Sequence, residues 1–199
     1  MKLLTNYIQE GLKINSKSKF KKYNYCPKTI FELREIVKQC IKERGLDADL
    51  NDIDTSQITN MGGLFDGSRF NGDISRWDVS NVRCMENMFA YSSFNGDISM
   101  WDVSNVTNMS GMFITSDFNQ DISQWDVSKV EDMYEMFYDS VFDRDISNWN
   151  VSKVEIMECM FARSKFSGDI SKWDISNVKY WTDIFKKCPL EKNPPKWYK

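Results

Sequence analysis

Phe70-Asn71-Gly72-Asp73-Ile74-Ser75-Arg76-Trp77-Asp78-Val79-Ser80-Asn81-Val82-Arg83-Cys84-Met85-Glu86-Asn87-Met88-Phe89 decides the fold, because it returns along the chain. Tryptophans stand at 77, 101, 125, 149 and 173, always 24 residues apart. Repetition at such a period marks a stack of equivalent units, none of which can bury its apolar face alone. Apolar columns run through Phe70, Ile74, Trp77, Val79, Val82, Met85, Met88 and Phe89 and recur in each of five full copies. The fifth reads Phe166, Ile170, Trp173, Ile175, Val178, Trp181, Ile184 and Phe185. A degenerate earlier copy shows as Ile53, Ile58, Met61, Leu64 and Phe65, without the tryptophan.

Within a copy the apolar period changes once. Trp77 and Val79 share a side at period two, as in a strand. Val82, Met85, Met88 and Phe89 follow at i, i+3, i+6 and i+7, which predicts a short helix with Ser80 as its N-cap. Asn71-Gly72-Asp73 is the return loop. The expectation is therefore an α/β solenoid, a leucine-rich-repeat-like stack with one short strand and one short helix per 24-residue repeat. It occupies residues 49–188, between an N-terminal helical cap at 1–48 and a C-terminal cap or tail at 189–199. In the cap, Thr29-Ile30-Phe31-Glu32 is a capping box. It opens a predicted helix over 29–44 that carries Ile30, Leu33, Ile36, Val37, Cys40 and Ile41 on one face and ends at Gly45. Leu3, Leu4, Tyr7, Ile8 and Leu12 suggest a further short helix ahead of it.

Composition excludes several chemistries. The chain of 199 residues has no histidine, which removes Ser-His-Asp and Cys-His catalysis, His-ligated zinc and histidine switching together. Cys26, Cys40, Cys84, Cys159 and Cys188 share no repeat position, so they read as reduced thiols, not a disulfide ladder or metal cluster. Net charge is −3, but residues 1–50 hold eleven Lys/Arg against six Asp/Glu, so the repeats are acidic. The basic residues between Lys13 and Lys28 are mixed with Ser, Asn and Tyr and do not cluster on a helix face, so no nucleic-acid partner is expected. Gln9 and Glu10 interrupt the first apolar residues before an h-region forms, and no apolar run approaches a membrane span of about 18 residues. On the sequence alone the chain reads as cytoplasmic.

Two acidic columns, Asp73/Asp97/Asp121/Asp145/Asp169 and Asp78/Asp102/Asp126/Asn150/Asp174, invite a metal argument. In-register carboxylates repel by about 1 kcal/mol per pair even in bulk water, so calcium or turn N–H groups must compensate. Asn150 favours the N–H groups, because it keeps the acceptor and drops the charge. The serines at 68, 92, 116, 140 and 164, and at 75 and its equivalents, have no base beside them and read as small residues at tight turns. Asn105-Val106-Thr107, Asn108-Met109-Ser110 and Asn150-Val151-Ser152 have the form of glycosylation triplets but follow from the repeat itself. No cofactor, metal or catalytic set is expected.

A binding surface belongs where copies disagree. The column Arg76, Met100, Gln124, Asn148 and Lys172 varies in the manner of a reading surface and faces away from Trp77 and Val79. The column Arg83, Thr107, Glu131, Glu155 and Lys179 is charged and expected in solvent.

Copies such as Phe94-Asn95-Gly96-Asp97-Ile98-Ser99-Met100-Trp101-Asp102-Val103-Ser104-Asn105-Val106-Thr107-Asn108-Met109 carry a family resemblance. The spacing fits the leucine-rich-repeat skeleton. Residues 49–188 resemble BspA-like leucine-rich-repeat proteins of the DUF285 type. WD40 propellers share the Trp-Asp pair but repeat at about 40–45 residues. The resemblance implies a non-enzymatic recognition module at the cell surface, binding a protein or glycan partner through its strand side. The alternative is a structural or assembly subunit that joins through the ends or edges of the stack. A monomer or weak oligomer is expected.

Overall fold

The computed structural model describes residues 23–198; the short helix expected at Leu3–Leu12 lies outside them. Helix α1 (Ile30–Arg44) forms where the capping box places it. Thr29 Oγ1 accepts the Glu32 N–H at 3.2 Å, and the Glu32 carboxylate reaches back to the Lys28 N–H at 2.7 Å. Gly45 closes the helix at φ 94°, with its N–H on the Ile41 carbonyl. Leu33, Ile36, Val37 and Cys40 are buried in the core that the repeats share, while Ile30 and Ile41 are half-buried against it. Arg44 fastens the end of α1 to the first coil through an ion pair to Asp52 at 2.9 Å and packs over the Tyr25 ring.

The repeats do not form the expected α/β solenoid. Among the described residues α1 is the one α-helix, a three-residue 3-10 turn follows at Pro189–Glu191, and no sheet exists. Copies meet at isolated parallel bridges, Asn60 to Cys84, Cys84 to Asn108 and onward in 24-residue steps to Tyr180. Each coil is built from successive i→i+3 turns, Ile74–Trp77, Val79–Val82, Met85–Met88 and Asn87–Ala90. Between the first two turns lie only Trp77-Asp78-Val79, which form no strand, although the period-two reading of Trp77 and Val79 as inward holds. Ser80 caps no helix; its N–H and hydroxyl both donate to Asp78.

The helix fails for a physical reason. Turns advance the buried residues by three, so Met85, Met88 and their neighbours keep a helical spacing without a helix. Asn87 and Tyr91 lie at φ 54° and 53°, and these left-handed residues turn the intervening peptides along the stack. The N–H groups of Met85, Asn87, Phe89 and Tyr91 then donate to the carbonyls of Asn108, Ser110, Met112 and Ile114 in the next coil, at 2.8–2.9 Å. A helix would satisfy the same groups within one copy and leave the coils unbonded. The pattern repeats at every step, from Met61 bonding Cys84 to Arg163 bonding Lys186.

Inside, Phe65, Phe89, Phe113, Phe137, Phe161 and Phe185 form a ladder with centroids 5.5–6.1 Å apart and near-parallel rings. A second ladder, Phe70 to Phe166, lies alongside it. Such pairs contribute about 0.5–1.5 kcal/mol beyond the area they bury. The Trp and Met columns are core as expected, except that Trp181 is 36% exposed and packs edge-on to Tyr198. Each indole staples its coil to the preceding one, as Trp101 Nε1 donates to the Ile74 carbonyl at 3.2 Å and Trp125 Nε1 to Ile98 at 3.1 Å. Trp197 makes the same bond to Ile170 at 2.9 Å, so the tryptophan column runs past residue 188.

Trp125→Phe loses one buried hydrogen bond and part of a ring and is expected to cost about 2 kcal/mol. The half-buried Trp197→Phe is expected to cost under about 1 kcal/mol; urea midpoints measure both. Thr115 is β-branched at φ 48°, in a column that begins with Gly67 at φ 64°. Releasing about 1–2 kcal/mol of left-handed strain against the chain entropy of glycine, Thr115→Gly is expected to raise the melting temperature.

Candidate functional site

Polar chemistry sits on the turn corners. In the turn from Ile74 to Trp77, Ser75 and Arg76 are the two central residues, and the same corner recurs in every copy. Arg76, Met100, Gln124, Asn148 and Lys172 are all exposed. The row is thus one of turn corners and not of strand residues. Met100 is 86% exposed, which for a thioether is unusual, and Arg76 meets Asp49 at 3.5 Å at the N-terminal end of the row.

The acidic columns explain themselves through hydrogen bonds. Asp73, Asp97, Asp121, Asp145 and Asp169 each accept the N–H of the serine two residues on, at 2.9 Å. Asp78, Asp102, Asp126, Asn150 and Asp174 accept the corresponding serine N–H at 3.0–3.2 Å. These N–H bonds favour the charged form. The Ser123, Ser147 and Ser171 N–H groups hold Asp121, Asp145 and Asp169 below the usual carboxylate range, against repulsion of Asp145 by its neighbours Asp121 and Asp169. No group of three or more carboxylates or thiols is placed to hold a metal ion among the described residues.

The other serine column is not merely small. Ser92, Ser116, Ser140 and Ser164 are buried, and Ser92, Ser140 and Ser164 donate their hydroxyls to the carbonyl of the phenylalanine three residues back, at 2.7–2.9 Å. The thiols are free, and burial pushes Cys26, Cys40, Cys159 and Cys188 up, away from the reactive thiolate. In the charged column Lys179 pairs with Glu155 at 2.7 Å, and Thr107 is half-buried, not free in solvent. Tyr134, exposed nearby, donates to Glu135, which pushes its phenol up to about 12.

Two grooves mark the surface. One, of about 310 Å³, lies between α1 and the first coils beside Ile30, Asn60 and Glu86, but its Arg34 is committed to the Gly62 carbonyl. The other, of about 440 Å³, opens at the C-terminal end of the corner row and is lined by Arg144, Asp145, Asp169 and Lys172 among others. Of these, the sequence reading singled out Lys172 as a binding residue and the two aspartates as turn elements. Arg144 carried no signal, because the column Gly72, Gly96, Gln120, Arg144 and Gly168 shows two unlike departures from glycine and no pattern between them. The tryptophan at 197 was legible, standing 24 residues after Trp173.

The family model described as "Mycoplasma protein of unknown function, DUF285" matches residues 31–141 and 93–197. The chain belongs to this DUF285 family. The match covers α1 and extends to Trp197, in keeping with the indole bonds. No curated protein and no solved structure matches the chain. Among the described residues no helix is long and apolar enough to cross a membrane.

Asp126→Ala removes a turn acceptor and is expected to cost about 0.5–1.5 kcal/mol, whereas Asp126→Asn stays near the parent, as Asn150 does in its own copy. The depressed carboxylates stabilise the fold fully above the unfolded Asp value of about 3.9, and that contribution is lost as pH falls through the lower folded values. With no histidine to titrate, the melting temperature is expected to stay level from pH 7 to about 5 and to drop below about 4. Replacing Asp121, Asp145 and Asp169 together by Asn should flatten the acid limb. Excess calcium and chelator are expected to leave the melting temperature equal.

Proposed function

We propose that this DUF285 chain is a non-enzymatic recognition module that binds a protein or glycan partner through the row of turn corners Arg76, Met100, Gln124, Asn148 and Lys172. The observation that carries the reading is a contrast between columns at one corner. The residues before and after, Ser75 and Trp77, recur in every full copy and are held by hydrogen bonds to Asp73 and Leu50, while the residue between them is exposed and differs each time. A position freed from packing and still bearing an 86% exposed methionine, an amide pair and two cations offers varied contacts on a rigid support. The resemblance of the repeat to BspA-like proteins, whose role is recognition, supports the same reading. Against chemistry stand the missing histidine, the thiols pushed up by burial and serines engaged in turns.

The test is a triple variant, Met100→Ala with Gln124→Ala and Asn148→Ala. All three sites are solvent-facing, so the melting temperature should change by no more than the equivalent of about 0.5 kcal/mol. Binding partners captured by the parent chain from its native cell should be lost by the variant. A partner retained equally by both chains would refute the placement.

A further inference from the structure

The 440 Å³ groove at the end of the corner row holds opposite charges that do not meet. Asp145 and Asp169 accept the Ser147 and Ser171 N–H groups at 2.9 Å and form no ion pair among the described residues. Arg144 donates from Nε to the Asn119 carbonyl at 2.8 Å, and its terminal nitrogens, like the Lys172 ammonium, form no ion pair among the described residues. The third carboxylate of the groove, Asp143, is occupied: Ser167 gives it an N–H at 2.8 Å and a hydroxyl at 3.0 Å. Two acceptors and two cationic donors thus line one slot with no bond across it. The slot exists because the repeat position that carries Arg144 in the fourth copy is Gly168 in the fifth, so one wall has a long side chain and the next has none.

We propose that this groove binds a neutral saccharide. The proposal rests on the reading of the corner row as a recognition surface, because Lys172 belongs to both. An anionic ligand would meet the Asp145 and Asp169 carboxylates, and a cationic one would meet Arg144 and Lys172. Each such contact near 4 Å is repulsive by about 1 kcal/mol even in bulk water. A hydroxyl both donates and accepts, so adjacent hydroxyls satisfy carboxylate and cation in turn without adding charge. The groove is walled by polar side chains and one glycine, with no aliphatic or aromatic residue among them to favour an apolar ligand. Its volume lies within the range of small-ligand sites, about 300–1,000 Å³.

The test presents the full chain to immobilised neutral hexose and N-acetylhexosamine oligosaccharides, beside sialylated and sulfated glycans and a lysine-rich peptide. Retention on at least one neutral oligosaccharide is expected. It should weaken roughly tenfold or more in Lys172→Ala and in Asp145→Asn with Asp169→Asn, and stay unchanged in Arg83→Ala, an exposed site outside both the row and the groove. The Asn variants keep an acceptor for the Ser147 and Ser171 N–H groups, as Asn150 does for Ser152 at the neighbouring turn, and an unchanged circular-dichroism spectrum at the assay temperature confirms an intact support. Retention of no neutral probe, of charged probes in preference, or of a neutral probe equally by parent and groove variants would overturn the proposal. If the Met100, Gln124 and Asn148 triple variant loses its partner while no saccharide binds, the groove assignment alone falls. If instead that variant keeps every partner while Lys172→Ala loses a saccharide, the row reading falls and the groove stands.

Discussion

Each coil in this chain divides its carbonyls and N–H groups between its own three-residue turns and its neighbours, and the rest of the structure follows from the bonds between neighbours. Along Met85–Tyr91 every second N–H points toward the next coil and finds a carbonyl 23 residues on. The indoles at 77, 101, 125, 149, 173 and 197 do the reverse, reaching back to the preceding coil at a leucine or isoleucine carbonyl that also accepts the local turn bond, as Ile74 does from Trp77 and Trp101. A single copy holds few bonds within itself. The 24-residue period is therefore a bonding requirement as well as a packing pattern, since an insertion within Met85–Tyr91 would move the donors that follow it off their acceptors. The phenylalanine ladders then fill the space that this register encloses.

On the face formed by Met85–Tyr91 and its equivalents the aligned peptides have a direction, carbonyls toward the N-terminal end and N–H groups toward the C-terminal end, while the Ser93 and Thr107 N–H groups donate back to Ser68 and Arg83 elsewhere in the coil. Both ends are met by the complementary charge. Gly62 occupies the carbonyl slot that Glu86 fills one coil later, and it takes the Arg34 guanidinium from α1. Lys187 occupies the N–H slot after Arg163, and the Glu191 carboxylate accepts from it at 3.0 Å. The logic is that of charges at helix ends, transferred from a helix axis to a stack axis. It also accounts for α1 as more than an apolar lid, because it brings a cation as well as Leu33, Ile36, Val37 and Cys40.

Much of this was legible. The period, the inward columns, the degenerate first copy and α1 with its capping box followed from spacing and residue type. The secondary structure did not, and the reason is instructive. Val82, Met85, Met88 and Phe89 satisfy a helical template because three-residue turns and a 3.6-residue helix place apolar side chains almost alike over two turns. What separates them is the sign of φ at Asn87 and Tyr91, and neither residue announces it as glycine does at 63, 67 and 111. Comparing columns would have helped: a position that is Gly63 and Gly111 in two copies and Asn87 in another favours the left-handed region. The corner row was found by its variability, but the groove beside it was not, since it depends on one arginine standing opposite one glycine.

The separation between inside and corner explains how one architecture carries a variable surface. At the corner, Asp73 fixes the Ser75 N–H and Trp77 is held by Leu50, so the backbone of residue 76 is set by groups that do not depend on its side chain. Replacing Arg by Met, Gln, Asn or Lys there breaks no buried bond. The same independence permits Gln120 and Arg144 where other copies have Gly72, Gly96 and Gly168. A glycine next to such a side chain opens a recess on an otherwise regular surface. Specific sites in a stack of this kind arise where adjacent copies differ, and their chemistry is set by pairs of neighbours, here Arg144 over Gly168 and Asp145 beside Asp169.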